Sequence, residues 1–579
     1  MMYVRVALCQ INSFVGDIEG NAKKIIEFAR KAKEAGAKLI CFPELALCGY
    51  PPEDLVFNTK FIREQREALK TIKEISDGAI IILGFVDLEE DIYNSAAILC
   101  NRKIYKYKKI HLPNYGVFDE MRYFSSGKEK LILQTQDNVK IGVSICEDIW
   151  HPTEPLFSLT IEGGAEIIVN ISASPYHISK PKIREDMMKT RAADYSSYVL
   201  FCNLVGGQDE LVFDGTSSVI SPWGDTEARA PLFKEYILIK DIDITQVYLK
   251  RVHDPRRRTE KPSTDSKIKV INLDLSITQK DGETKNEIYD FPKWEEEVFC
   301  ALVTGTRDYI LKNRFSKALI ALSGGIDSSL TACIATEAIG PENVLGISMP
   351  SQFSSHHSVE DAEILSKNLG IKFLKIPIMR IYEAFMNELS ELFAGTPFSS
   401  AEENLQARIR GNIIMTISNK FGHIVLACGN KSEMSVGYAT LYGDLAGGFA
   451  VIKDLYKTDV YKIAKFYNEM KGREIIPKRV FEKPPSAELR PNQKDEDDLP
   501  PYRILDAILK LYIEKDTPPE IIEKVVGVDK GVIKRVIEMV EKAEYKRRQA
   551  PPGIKISSRA FGKDRRMPIT KKIDCILKF

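Results

Sequence analysis

The chain has 579 residues, of which 44% are hydrophobic and 28% charged, and a net charge of +1. That length exceeds one ordinary domain and supplies apolar side chains for more than one core. The near-neutral balance argues against nucleic acid or an anionic membrane as the main partner, because either favours a marked basic excess.

The segment Met1-Met2-Tyr3-Val4-Arg5-Val6-Ala7-Leu8-Cys9-Gln10 lacks the basic region, apolar run and cleavage site of a secretory signal. No apolar run is long enough to span a bilayer. The ten cysteines are scattered, without a CxxC pair, as expected of reduced thiols in a cytoplasmic protein. High Lys and Glu with low Gln is a composition associated with growth at high temperature.

In chain order, residues 4–11 read as a strand, 21–35 as a helix and 38–42 as a strand. Strands are predicted at 79–85, 95–100, 103–108, 140–145, 167–171 and 198–204. Strands separated by helices, then paired strands, predict a layered α/β domain with a mixed sheet over 1–253. Residues 254–285, opening on Asp254-Pro255-Arg256-Arg257-Arg258, read as a connector with room for one short strand. The pattern restarts over 286–579. A helix is predicted at 294–312, strands at 318–322, 344–349, 374–376 and 424–427, and helices at 327–339 and 359–369. Their alternation predicts a doubly wound parallel sheet. The acidic run 494–498 reads as a solvated loop, and 542–548 as a basic helix end.

Three residues at strand ends carry the chemistry of the first domain. Glu44 lies in Phe42-Pro43-Glu44-Leu45, Lys109 directly follows a strand, and Cys146 opens Cys146-Glu147-Asp148-Ile149-Trp150. A thiol becomes a nucleophile when a base takes its proton, and a nearby ammonium stabilises the oxyanion it creates. Singly, each residue is ordinary; together and in this order they resemble the Glu-Lys-Cys set of the nitrilase family of carbon–nitrogen hydrolases. The resemblance implies a four-layer αββα sandwich with Glu44 as general base, Lys109 as oxyanion stabiliser and Cys146 as nucleophile. It implies Glu120 as a second active-site carboxylate. The stretch 112–120 resembles the branch that supplies ammonia from glutamine, in which Tyr115, Glu120, Ser174 and Lys180 would bind the glutamine.

In the second domain, a strand runs into Ser323-Gly324-Gly325-Ile326-Asp327-Ser328-Ser329 and then a helix. Glycines let the backbone approach a ligand closely, and free N–H groups at a helix start suit a pyrophosphate. The segment has neither the Walker A nor the GxGxxG spacing. It resembles the PP-loop of the ATP pyrophosphatases, in which Ser323 through Ser329 contact ATP and Asp327 holds Mg²⁺. Met349–Ser355, Glu403–Arg410, Cys428–Glu433, Lys453–Thr458 and Lys483–Leu489 resemble the NAD synthetases. That resemblance implies ATP contacts at Cys428, Lys453 and Ser486, a second Mg²⁺ ligand at Glu433, and deamido-NAD contacts at Asn404, Glu433 and Lys546.

The first set alone would fit an amidase or a nitrilase, and the second several synthetases or a tRNA-modifying enzyme. Their order in one chain resembles the glutamine-dependent NAD synthetases. The resemblance implies ATP-dependent amidation of deamido-NAD, Mg²⁺ as cofactor, small-molecule substrates (deamido-NAD, ATP and glutamine) and a homo-oligomer. Another amidotransferase, a PP-loop tRNA modifier and a chain whose first domain is only an interaction module remain as alternatives.

Overall fold

Apolar runs of Ile, Val and Leu that alternate with period two become the strands of the first half. A computed structural model describes residues 2–255, 268–280, 282 and 287–574. The chain divides into two units, Met1–Gln208 with Val212–Phe291, and Asp209–Leu211 with Pro292–Phe579.

The first unit contains, in chain order, β1 (Tyr3–Gln10), β2 (Leu39–Cys41), β3 (Ile80–Leu88), β4 (Ile92–Cys100), β5 (Lys103–Lys108), β6 (Lys130–Gln134), β7 (Lys140–Ile145), β8 (Ile167–Ser172), β9 (Tyr198–Asn203), β10 (Val205–Gln208), β11 (Leu211–Asp214), β12 (Ser218–Ile220), β13 (Thr226–Arg229), β14 (Tyr236–Asp243), β15 (Ile268–Asn272) and β16 (Thr278–Gln279). Its helices are α1 (Ile18–Glu34), α2 (Thr59–Ile72), α3 (Lys180–Tyr195) and α4 (Thr245–His253). One sheet has the order β14-β1-β2-β3-β4-β5, with β16 also on β1; the other runs β13-β12-β9-β8-β7-β6-β15. Both are mixed. β1, β2 and β3 are parallel, as are β7, β8 and β9, whereas β3–β4–β5 are antiparallel.

Period-two alternation sends one set of side chains to the core shared by the two sheets and the other set outward. Ile167, Val169, Ile171, Leu200 and Cys202 point into that core with Val4, Val6, Leu8, Ile80 and Ile82. Ile168, Val199 and Phe201, one residue off, pack with Met188 and Ala192 of α3. Helices α1 and α2 lie on the first sheet and α3 on the second, completing the αββα sandwich. Strands β15 and β16 arise from the segment expected to be a connector. β15 pairs with β6 and β16 with β1, so the described part of 254–285 joins both sheets. Arg256–Arg258 lie outside the described residues.

The second unit has five strands, β17 (Ala318–Ala321), β18 (Val344–Ser348), β19 (Lys372–Lys375), β20 (Ile424–Ala427) and β21 (Phe449–Ala450). Their order is β19-β18-β17-β20-β21, and all four pairings are parallel. The helices that concern the site are α5 (Trp294–Lys312), α6 (Ile326–Ile339), α7 (His356–Leu369), α8 (Met379–Glu388), α9 (Ser400–Phe421), α10 (Lys431–Val436) and α11 (Lys457–Lys471). Leu319, Ile347 and Val425 of the sheet pack against Tyr382 of α8 and Ile409 and Ile414 of α9. Helix α6 packs on β17 and β18 and is covered by α5 and α11. The chain adds β18 and β19 on one side of β17, then β20 and β21 on the other, so the loops leaving β17 and β20 diverge and open a crevice at their carboxyl ends.

The run at 494–498 is largely solvated as expected, with Lys494, Glu496 and Asp497 exposed, except at Asp495. Asp495 is buried, and Tyr502 Oη donates to its Oδ2 at 2.8 Å. The expected helix at 542–548 breaks at Ala543, where one helix (Lys530–Lys542) ends and a short one (Glu544–Arg547) begins. Among the described residues no helix is long and apolar enough to cross a membrane.

Candidate active sites in the two units

In the first unit the ends of β2, β5 and β7 carry Glu44, Lys109 and Cys146. The turn after β2 is held against β3 at Gly84. A β-carbon there would collide with the backbone nitrogen of Leu45 and with Glu44, so glycine alone permits the close approach. Glu44 is fully buried. Its Oε1 accepts from Lys109 Nζ at 2.7 Å and from Asn94 Nδ2 at 2.8 Å, and its Oε2 accepts from the Ala173 amide at 2.9 Å. Lys109 Nζ also donates to both oxygens of Glu120, each at 2.8 Å, and Tyr50 Oη donates to Glu120 Oε1 at 2.9 Å.

Electrostatics follow from that geometry. Burial favours the neutral amine of Lys109, but the carboxylates of Glu120 and Glu44 outweigh it and hold the ammonium well above the usual lysine range. Burial, aided by the neighbouring Glu44 charge, pushes the Glu120 carboxyl up against the pull of Lys109. Cys146 sits at φ +43°, a left-handed conformation uncommon outside glycine, in the turn that ends β7. Burial first, then Glu44, raise its thiol well above the ordinary range, and Lys109 opposes them. The resting side chain is therefore a thiol beside a carboxylate able to take its proton. Iodoacetamide alkylation of Cys146, read by peptide mass, is expected to keep rising with pH past the ordinary thiol value of about 8.5. A plateau reached below neutrality would mean a preformed thiolate and would contradict this arrangement.

The residues expected to bind glutamine gather around the same turn. Tyr115 Oη donates to both carboxylate oxygens of Glu147, at 3.0 and 2.9 Å. The Lys180 ammonium lies 4.7 Å from the Trp150 ring centre. Burial first, then Arg184, pull its pKa down against the Glu147 charge, which pushes it up. Ser174 is buried, and its Oγ accepts from Arg184 Nη1 at 3.2 Å. Glu147, Asn94 and Tyr50 were not singled out from the sequence. Glu147 was detectable by its adjacency to Cys146, whereas only the tertiary contacts reveal the other two.

In the second unit, the loop between β17 and α6 packs at Gly324 against α7. Gly324 has φ +76°, and a β-carbon there would run into the Ser358 carbonyl. The loop borders a cavity of about 310 Å³ lined by Ser323, Gly325, Ile326, Asp327 and Ser328 together with Cys428, Glu433 and Ser486. Gly324 and Ser329 shape the loop from behind; Ser329 Oγ donates to the Gly325 carbonyl at 2.8 Å. Asp327 Oδ1 accepts from Asn430 Nδ2 at 3.0 Å, and Asp327 Oδ2 meets Lys457 Nζ. The same ammonium reaches Glu433 Oε1 at 3.3 Å. Glu433 is fixed by a reciprocal cap, in which its amide donates to Asn430 Oδ1 at 3.0 Å and its carboxylate accepts from the Asn430 amide at 3.4 Å. Two carboxylates converging on one cation are hard oxygen donors of the type a divalent cation takes.

Three expected contacts fall away from the cavity lining. Lys453 Nζ donates to the Pro551 carbonyl at 2.7 Å. Asn404 Oδ1 accepts from Thr440 Oγ1 at 2.7 Å, and Lys546 Nζ donates to the Gly437 and Ala439 carbonyls at 2.8 and 2.7 Å. The cavity instead brings in Lys457 and Arg410. Arg410 donates to the Met349 carbonyl at 2.9 Å, and burial pushes its pKa down to about 10. Both cations belong to motifs quoted from the sequence, but nothing in the linear pattern separates them from neighbouring basic residues.

Each half of the chain matches a known family. Residues 5–251 match the carbon-nitrogen hydrolase family model, and residues 298–550 match that of NAD synthase. The molecule thus couples a nitrilase-type hydrolase domain to an NAD synthase domain. It is 51% identical to the glutamine-dependent NAD(+) synthetase of Thermotoga maritima over 99% of both chains, and 49% identical to that of Aquifex aeolicus over 98% of this chain and 99% of the relative. The solved structure of the glutamine-dependent NAD+ synthetase from Acinetobacter baumannii in complex with ADP superimposes with a TM-score of 0.73 at 38% identity, covering 98% of each chain. The chain belongs to the family of glutamine-dependent NAD(+) synthetases.

Proposed function

We propose that this chain converts deamido-NAD, ATP, glutamine and water to NAD, AMP, pyrophosphate and glutamate. The observation that carries the reading is the presence, on one chain, of the Glu44–Lys109–Glu120 cluster beside a strained Cys146 and of the Asp327–Lys457–Glu433 cluster at the mouth of a parallel sheet.

At the first site, Glu44 takes the Cys146 proton as sulfur attacks the glutamine carboxamide. Lys109 stabilises the tetrahedral oxyanion, Glu44 passes that proton to the leaving nitrogen so that ammonia departs, and water, giving a proton to Glu44, hydrolyses the thioester to glutamate and restores the Cys146 thiol. Tyr115, Glu120, Ser174 and Lys180 hold the glutamine, and the Tyr115–Glu147 pair offers a carboxylate to its α-ammonium group.

At the second site, the nicotinate carboxylate of deamido-NAD attacks the α-phosphorus of ATP, pyrophosphate leaves, and ammonia displaces AMP from the mixed anhydride. Ser323 through Ser329, Cys428 and Ser486 surround the ATP, and Lys457 offers its ammonium to the phosphates. Asn404 and Lys546, with Glu433, remain the proposed deamido-NAD contacts. Asp327 and Glu433 would hold Mg²⁺, which when bound offsets the charge of the phosphates. Lys453, donating to Pro551, supports the loop after β21.

Purified chain supplied with deamido-NAD, ATP and glutamine carrying heavy nitrogen at the amide is the test. Labelled NAD should form, with AMP and pyrophosphate in equal amounts. Production of ADP and phosphate, or unlabelled NAD, would sink the reading.

A further inference from the structure

We infer that Asp148 is a positioning residue of the amide-hydrolysing site. Its buried carboxylate sets the spacing between the Lys109 ammonium and the Cys146 thiol by tying together the two strand ends that carry them. This inference rests on the roles proposed above for Lys109 and Cys146.

Lys109 follows β5, the last strand of one sheet, and Cys146 follows β7, an inner strand of the other. No backbone ladder joins β5 to β7, so sheet pairing leaves the distance between their ends undetermined. Asp148 closes that gap. Its Oδ2 accepts from the Ile145 amide at 2.9 Å and from Tyr107 Oη at 2.8 Å. Its Oδ1 accepts from the His111 amide at 2.9 Å and from the Ile110 amide at 3.2 Å. The donors thus come from the residue just before Cys146 and from both sides of Lys109.

Asp148 is fully buried. Taking a carboxylate out of water costs several kcal/mol unless it is fully hydrogen-bonded. Here four donors fill both oxygens, which leaves the group no free capacity to bind substrate or move a proton. Its contribution is geometric, and reacting groups are sensitive to geometry. A displacement of about 1 Å is enough to cost about 10²-fold in rate. Asparagine at this position has the same shape, but its NH₂ group must face two of the four donors.

The test uses the full chain with Asp148→Asn and Tyr107→Phe, the latter removing one donor and keeping the charge. Three quantities are measured: NAD formation with glutamine, NAD formation with ammonium, and the pH dependence of Cys146 alkylation by iodoacetamide. For Asp148→Asn, kcat with glutamine is expected to fall about 10²-fold with KM nearly unchanged, while ammonium-supported synthesis is kept. The alkylation profile should move to higher pH, because Lys109 lowers the thiol pKa against the raising charges of Glu44, Glu147 and Glu120. Tyr107→Phe should move kcat and the profile in the same directions by less.

Unchanged kcat, a loss confined to KM, or a fall in kcat with an unmoved alkylation profile would overturn the inference. If Asp148→Asn also loses ammonium-supported synthesis, the fold is damaged and Tyr107→Phe decides by the same criteria. Cys146→Ala run alongside separates the two levels: glutamine hydrolysis persisting in that variant would defeat the functional reading itself, whatever Asp148 does.

Discussion

Cys146→Ala is expected to lose glutamine-supported NAD formation by at least about 10⁴-fold, as removal of a nucleophile does in other covalent catalysts, while ammonium-supported formation continues. The reason lies in the division of labour. Cys146 is the thiol on the strained turn after β7, and Glu44 and Lys109 have no covalent step to assist without it. The substitution removes one buried sulfur from a core cluster of the first unit, a change of about 0.5–3 kcal/mol. NAD formation with each nitrogen source, measured by absorbance of the reduced cofactor in a coupled assay, checks it. Equal loss with both sources would show that the two activities do not separate as proposed.

Asp327→Asn is expected to reduce NAD formation by about 10²- to 10³-fold with either nitrogen source, equivalent to about 2.7–4 kcal/mol of transition-state stabilisation. Asp327 lies in the first turn of α6, between the amide of Asn430 and the ammonium of Lys457. Glu433, the second carboxylate on that ammonium, is partly buried, and its desolvation together with the Asp327 charge raises its pKa against the pull of Lys457. Neutralising Asp327 leaves Lys457 paired with Glu433 alone and removes half of the anionic donor set for a divalent cation. The Mg²⁺ concentration giving half-maximal pyrophosphate release should therefore rise along with the fall in rate. Glutamine hydrolysis at Cys146 supplies an internal control for folding of the first unit. A variant with unaltered pyrophosphate release at low Mg²⁺ would exclude Asp327 from the phosphate site.

Local pattern was sufficient where a few neighbouring residues dictate the outcome. The helix expected at 294–312 is α5 residue for residue, because its apolar periodicity and three acidic residues in the first turn need no distant partner. The loop from Ser323 to Ser329 was legible because a strand, two glycines and a helix start are consecutive in sequence. Short strands such as β10–β13 were not, since three or four residues have no period of their own and become strands only when a neighbour supplies hydrogen bonds. Asp495 read as solvated for the same reason: its burial comes from Tyr502 on another element.

By itself the sequence determined the α/β character of both halves, and it offered Glu44, Lys109, Cys146 and the Ser323–Ser329 loop as candidates. The first follows from periodicity along the chain, the second from the family resemblance that the order of the motifs carries. Only the tertiary structure decided which groups share a charge. Lys109 lies between Glu44 and Glu120, Lys457 rather than Lys453 stands between Asp327 and Glu433, and Asp148 joins strand ends from two sheets. Such contacts join residues 11 to 130 positions apart, and at a few ångströms inside a low-dielectric core they outweigh anything the local sequence encodes.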